Sequence, residues 1–232
     1  AGDRIAVGLS GGKDSLALLC MLVALRRFYP KPFSLRAMTV DMGREGMDYT
    51  NLRSFCEQME VPFVLVPSEI AKIVFEVRKE QNPCALCANL RRGVLNTAAV
   101  AQGCNKVALG HHFDDVVETF LLNLFYEGRI GSFRPVTHLD RTGITVIRPM
   151  LYAPEKDLRY FARKNDLPVI DSRCPADKHT QREEIKQLLA RLEKENKGLK
   201  HRIFGAMQRA DIDGYGMEKT ARRLPIISEK KE

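Results

Sequence analysis

Six residues, Ser10-Gly11-Gly12-Lys13-Asp14-Ser15, restrict the fold of this chain more than any others, because of what flanks them. Before them, Arg4 to Ser10 (RIAVGLS) is a short apolar run suited to a buried parallel strand. After them, Asp14 to Phe28 carries apolar residues at helical spacing and stops before Tyr29-Pro30. A strand that passes straight into a helix needs a tight turn, and two glycines supply it. Such a turn exposes several backbone N–H groups beside a helix start that carries partial positive charge. Ser10 and Ser15 add hydroxyl donors, and Lys13 can neutralise phosphate charge. The loop is therefore suited to hold phosphate or pyrophosphate, although it is neither G-x-x-x-x-G-K-S/T nor G-x-G-x-x-G. The plainer alternative is a glycine-rich connector capped by Asp14.

Strand and helix go on alternating. Strands are expected at Ser34 to Met42, Pro62 to Val66, Lys106 to Gly110 and Val146 to Pro149, with helices at Met47 to Glu60, Ala85 to Gln102 and about Asp114 to Tyr126. This order predicts an α/β fold, a Rossmann-like doubly wound sheet of five parallel strands. From Pro154 the pattern turns helical, with segments Pro154 to Lys164, Gln181 to Lys197 and about Leu199 to Arg209. The expected division is an α/β domain over 1–150 and a helical C-terminal extension over 151–232, with a charged, fraying end at Lys219 to Glu232.

Composition narrows the class. Among 232 residues there are 16 Gly and 11 Pro, an ordinary share that excludes collagen-like and low-complexity chains. A formal charge of +8 permits a polyanionic partner. No stretch reaches the roughly 18 apolar residues of a membrane helix, and no signal peptide is visible, so the expectation is a cytoplasmic protein with no membrane partner. Ala1 leads at once into a strand, as in a chain trimmed at its N-terminus. The six cysteines do not read as a disulfide framework.

A second motif, Ala108-Leu109-Gly110-His111-His112-Phe113-Asp114-Asp115, ends one strand and opens a helix. In a parallel sheet it faces the first loop across the carboxyl ends of the strands, where ligands of such sheets bind. Gly110 would let the backbone approach a nucleotide, and Asp115 would hold Mg2+ or orient a substrate. His111 is expected to orient the turn, while His112 is left open between ligand and base. The alternative for Asp114 and Asp115 is an acidic helix start favoured by the dipole. Val40, Asp41 and Met42, ending the second strand, are placed to meet adenine.

Cys84-Ala85-Leu86-Cys87 opens a helix, where thiolate is favoured and both sulfurs share one side. Zinc, a redox pair, a cluster and chance all remain open. One C-x-x-C cannot complete a metal site, and Cys174 is the best third ligand. Cys20, Cys56 and Cys104 read as small core residues. Arg91, one turn after Cys87, would point to the same place. Glu127 to Gly143 reads as a mobile basic loop, with Arg129 and Arg134, and with Arg148 beyond it, as candidate RNA contacts.

The SGGKDS loop after a first strand resembles the PP-loop of the ATP pyrophosphatase superfamily, whose sheet is of the adenine nucleotide alpha-hydrolase type. Together with CALCANLRRG, GHHFDD, FYEG and VIRP, in that order from about Arg4 to Gln187, it is similar to the tRNA 2-thiocytidine synthetase family. The resemblance implies ATP bound along Gly8, Leu9, Ser10, Gly11, Gly12, Lys13, Asp14 and Ser15, with Val40, Met42, Gly110, His111 and Asp115. It implies Mg2+, and catalytic roles for Asp115, Arg91, Lys13 and Asp14. Cys84, Cys87 and Cys174 would hold a 4Fe-4S cluster with one iron open. The implied reaction adenylylates a base carbonyl oxygen of tRNA and replaces it with sulfur, most simply giving 2-thiocytidine at position 32 of the anticodon loop. The sulfur donor is sulfide or a cysteine desulfurase persulfide, and a homodimer is the family expectation, although no heptad or interface stripe derives it.

One departure stands out. Members of that family often carry a second C-x-x-C in the later segment, where this chain has only Arg173-Cys174-Pro175. Competing readings are a 2-thiouridine synthetase, a cluster-free ligase of the lysidine synthetase type, persulfide transfer through Cys84 and Cys87, structural zinc at that pair, and an adenine-nucleotide-binding module without turnover.

Overall fold

The central strand is the one the first loop follows. In the computed structural model, which describes residues 2–78, 83–170, 174 and 180–216, β1 (Asp3–Gly8) pairs in parallel with β2 (Phe33–Val40) on one side and β4 (Lys106–Ala108) on the other. Ala6 and Val7 are fully buried, as an apolar run with both faces covered requires. β3 (Phe63–Val66) extends the sheet beyond β2, and β6 (Ile144–Ile147) extends it beyond β4. The order is β3-β2-β1-β4-β6-β5, with β5 (Val136–Leu139) at the edge beyond β6.

Helices cover both faces. α1 (Lys13–Arg26) has Leu16, Ala17, Leu18 and Leu19 fully buried, four consecutive positions that point round the helix, so its first half is covered on all sides while Met21 and Ala24 further along reach the surface. It shares a core with α2 (Thr50–Gln58) and with Leu158 and Ala162 of α6 (Glu155–Lys164). On the opposite face, Leu95 and Ala99 of α4 (Pro83–Ala101) pack on Ala6, Met38 and Val107. α5 (Phe113–Tyr126) forms a third cluster with α7 (Gln181–Glu195) and α8 (Leu199–Arg209). The chain moves outward through β2 and β3, then returns to the other side of β1 at β4. That reversal opens a crevice between the carboxyl ends of β1 and β4.

Two expectations need correction. The sheet has six strands rather than five, and they are not all parallel. β5 (Val136–Leu139), inside the segment read as a loop, pairs antiparallel with β6. Its residues alternate between exposed and half-buried, as an edge strand does, and Gly143 (φ +67°) turns it into β6. Secondly, Ile70–Lys72 (α3) and a π-helical turn at Ile73–Val77 occupy a stretch the alternation left unassigned. The charged end, Lys219 to Glu232, and the neighbours of Cys174 lie outside the described residues.

Candidate active site

The turn after β1 is held by its own hydroxyls. Ser15 Oγ accepts from the Ser10 amide at 3.1 Å and donates to the Gly12 carbonyl at 2.9 Å, and the Ser10 hydroxyl donates to it at 3.2 Å. Gly11 takes φ +82°, a conformation that favours glycine, and its carbonyl accepts from the Ile170 amide at 2.9 Å. Gly12 begins α1 with no side-chain cap. The amides of the first turn are thus left facing the crevice.

Across from it, α5 is closed. His112 Nδ1 accepts from the Asp115 amide at 3.4 Å, while Asp115 Oδ2 accepts from the His112 amide at 2.9 Å, a reciprocal capping box. Accepting through Nδ1 leaves the proton on Nε2, which lies 3.5 Å from Asp115 Oδ2 and 3.9 Å from Asp14 Oδ2. One buried imidazole therefore sets two carboxylates, from two different helix starts, on the same side of the crevice. It is His112, not His111, that orients this turn.

Gly110 makes the close approach possible. A Cβ there would stand 3.1 Å from the carbonyl carbon and oxygen of Asp14 and from the Ser15 amide. The missing side chain thus brings the two helix starts together as well as bordering the crevice. Asp114 is structural: it accepts from the Glu155 amide at 2.7 Å and pairs with Lys200 at 2.6 Å. Burial opposes its ionised form, but these two partners outweigh burial and pull its pKa down. Lys13 is also engaged, with Asp14 at 2.9 Å and Glu155 at 3.1 Å. Glu155, although burial opposes its charge, is held down to about 2 by Lys13, Arg159 and Lys186.

These elements enclose a cavity of about 580 Å3, within the usual size for small-molecule sites. Gly8, Leu9, Ser10, Asp14 and Ser15 form its middle, and Gly110 and His111 adjoin them from β4. Val40 and Met42 form the β2 end with Tyr49, whose hydroxyl donates to Asp41 at 3.2 Å. Arg91, Arg129 and Arg148 border it too. Lys13, Gly11, Gly12, Asp115 and Arg134 support or flank the cavity without bordering it. Arg134 and Arg129 are exposed, but Arg148 is only 9% exposed and donates to the Arg134 carbonyl at 2.6 Å. It is a buried wall residue, not a surface contact. Phe133, Asn123, Arg92 and Arg182 also line the cavity and escaped the sequence reading. Only Arg92 carried a signal, as the neighbour of Arg91.

His111 is buried enough that its pKa is pushed down to about 3, with Arg148 and Arg182 adding repulsion, so its ring is neutral. Three buried side-chain atoms have no hydrogen-bond partner among the described residues: Asp14 Oδ1, His111 Nδ1 and Arg148 Nε. All three residues line this cavity. A buried polar atom without a partner is costly, and a bound ligand or cation would supply one. The orphaned Asp14 oxygen, with Asp115 nearby on the same imidazole, fits Mg2+.

The cysteines divide into two sets. Burial raises the pKa of Cys20 and Cys104 and pushes Cys56 up to about 11, which disfavours thiolate. Cys84 is exposed and Cys87 half-buried on the first turn of α4. One turn further along the same face, Ala88 and Arg91 line the cavity. Cys174, half-buried, follows Ile170, another lining residue. Three thiolates are the right donors for an iron–sulfur cluster. Among the described residues, however, no three His, Cys, Asp or Glu side chains are gathered as a metal site.

Comparison with known proteins bears on the same features. Residues 1–193 match the PP-loop domain family. The chain is 42% identical over 209 residues to the tRNA-cytidine(32) 2-sulfurtransferase of Geobacter sulfurreducens, spanning 89% of this chain and 81% of that protein. It is 38% identical over 236 residues to the enzyme of that name from Ralstonia pickettii, spanning 98% and 75%. Among solved structures it is similar to the U34-tRNA thiolase NcsA from Methanococcus maripaludis with its 4Fe-4S cluster, at a TM-score of 0.75 and 28% identity over 90% of this chain and 71% of that one.

Proposed function

Because the chain belongs to the PP-loop domain family, among the tRNA-cytidine(32) 2-sulfurtransferases, we propose that it is an ATP-dependent tRNA thiolase that forms 2-thiocytidine at position 32. The observation that carries this reading is the uncapped start of α1, set by Gly110 against a second helix start that presents a carboxylate.

ATP lies along the crevice. Its adenine meets Val40 and Met42 at the β2 end, and its phosphates meet the Ser10–Ser15 turn, where open amides and hydroxyls donate to them. Lys13, tied to Asp14 and Glu155, keeps positive charge at the edge of the loop. Asp14 and Asp115 would hold Mg2+, which supplies charge neutralisation on the phosphates. The cytosine O2 attacks the α-phosphorus and pyrophosphate leaves, converting a poor leaving group into AMP. Arg91, at the rim, stabilises the negative charge on the α-phosphate as it is transferred to the base oxygen. A sulfide-level nucleophile then forms the C2–S bond as the C2–O bond breaks, and AMP departs with the original oxygen.

Cys84, Cys87 and Cys174 would hold the cluster. Bound there by three thiolates, it supplies one open coordination position for sulfur. Arg129 and Arg134, exposed on the segment before β5, contact the tRNA backbone. The sulfur donor is sulfide, or a cysteine desulfurase persulfide whose outer sulfur a thiol has reduced to sulfide with formation of a disulfide; a homodimer and a cytoplasmic location belong to the same proposal. No helix among the described residues is long and apolar enough to cross a membrane.

The test is anaerobic incubation of iron-loaded protein with ATP, sulfide and a tRNA carrying cytidine at position 32, followed by nucleoside mass spectrometry. The expected product is 2-thiocytidine, absent when uridine replaces that cytidine. Cys87→Ala should abolish thiolation while ATP still binds. Full thiolation by Cys87→Ala would overturn the cluster assignment, and an amine-bearing nucleoside would overturn the thiolase reading.

A further inference from the structure

The cavity has an end that the nucleotide does not account for. Sheet order puts β2 on one flank of the β1–β4 pair and β6 on the other, so residues that follow these strands stand at opposite ends of the crevice. Val40, Met42 and Tyr49 form the β2 end. The β6 end is made by His111 after β4, Phe133 ahead of β5 and Arg148 after β6.

These three side chains are arranged on one another. The His111 and Phe133 rings lie 4.6 Å apart between centroids, inclined by 37°. The Arg148 guanidinium carbon is 5.1 Å from the Phe133 ring centroid. Arg148 is about nine-tenths buried and is anchored through Nη1 to the Arg134 carbonyl at 2.6 Å. Its Nε, a fixed donor, has no partner among the described residues, and neither has His111 Nδ1. Two orphaned nitrogens beside an aromatic ring form a wall with both stacking surface and unmet hydrogen-bonding demand. A planar heterocycle with polar edges satisfies both.

We propose that this end of the cavity is the pocket for the target base, a cytosine turned out of the RNA, packed against Phe133 and His111 and read by Arg148 Nε and His111 Nδ1. The proposal rests on the thiolase reading and adds to it which residues choose the base. Cytosine carries ring and carbonyl acceptors next to an exocyclic amine. Arg148 Nε–H donates to an acceptor, and the neutral His111, in the tautomer the proposal requires with its proton on Nε2, accepts from the amine through Nδ1. Uracil would set a carbonyl oxygen against that imidazole lone pair and be refused. Stacking on an aromatic side chain is the common way that proteins hold an unpaired RNA base.

The experiment measures binding of an anticodon stem-loop RNA with cytidine, uridine or an abasic site at position 32, in the presence of a non-hydrolysable ATP analogue. Wild type, Phe133→Leu and Arg148→Lys are compared, the last retaining the charge. Thermal melts establish that each variant folds, and binding of the ATP analogue is followed separately. Wild type is expected to prefer the cytidine RNA about 10-fold over the abasic one. Both variants should bring the two RNAs within about twofold while binding the ATP analogue as wild type does. Variants that keep the cytidine preference would overturn the pocket. Loss of ATP-analogue affinity with the preference intact would also overturn it, assigning this end to the nucleotide. A wild type that binds cytidine and abasic RNA alike would also overturn the pocket, whereas failure of the thiolase reading shows separately, as no 2-thiocytidine formed on turnover with ATP and sulfide.

Discussion

Two helix starts face each other across the site, and they are finished in opposite ways. α1 begins at Gly12 with no side-chain cap, whereas α5 begins at His112 with a reciprocal cap through Asp115. An open start keeps its amides for an anionic ligand, and a closed start keeps its own carboxylate in a fixed place. The chain thus leaves unsatisfied the end proposed to bind phosphate and satisfies the end that holds the second carboxylate in place. Gly110 presses the two together.

The comparison breaks most severely at Asp14, the carboxylate of the open start whose Oδ1 is buried without a partner among the described residues. Asp14→Ala should lower AMP formation by about 100-fold or more with the fold retained, measured as turnover on saturating tRNA. Unchanged turnover would remove Asp14 from the chemistry.

Acidity separates the two sides. Burial, with Asp115 adding repulsion, pushes the Glu118 pKa on α5 up to about 7, although Arg182 opposes the shift. A raised carboxyl pKa favours the folded state at low pH. Stability is therefore lost as pH rises from about 4.5 to 7, by an amount of the order of 3 kcal/mol. Glu118→Gln should flatten that decline in urea denaturation between pH 5 and pH 8. Glu155, which supports Lys13 beside α1, has the opposite sign: its pKa is held down to about 2, so its contribution is present above pH 4.5 and lost below. Neutral pH strains the closed side, and acid loosens the open one.

Gly110→Ala should force the two starts apart, because the new methyl meets backbone rather than a yielding side chain. A stability loss of about 1–3 kcal/mol is expected, with weaker ATP binding, checked by denaturation and calorimetry. The smallest change sharpens the contrast. Gly12 has φ −78° and room for a Cβ, whose nearest neighbour would be the Ser10 hydroxyl at 3.6 Å. Gly12→Ser should close α1 with a cap, adding about 0.5 kcal/mol of stability while weakening ATP binding. Unaltered ATP affinity in a stabilised Gly12→Ser variant would mean that the open amides do not receive the phosphates.

Both helix starts were legible in the sequence because each is a contiguous run bracketed by a strand and a helix. The roles of the two histidines were not. His112 is an unusual capping residue, although Asp115 three positions later is the mark of a capping box. β5 was missed because Pro135 and the glycines around it read as a loop, while four alternating residues at a sheet edge give little periodic signal. Part of the cavity wall was missed for a different reason. Phe133, Asn123 and Arg182 come from separate segments, and only the topology brings them together. The cysteines lie between these cases. Their donor chemistry could be anticipated, but a thiolate set gains its geometry through metal binding coupled to folding, which no residue spacing encodes.

The central claim is that the base oxygen attacks ATP at the α-phosphorus and leaves within AMP. It can be tested directly with tRNA carrying oxygen-18 at O2 of cytidine 32. After one turnover with ATP and sulfide, the account predicts that the label appears in AMP, in proportion to the 2-thiocytidine formed. Label retained in the thiolated RNA or released to water, with unlabelled AMP, would contradict it.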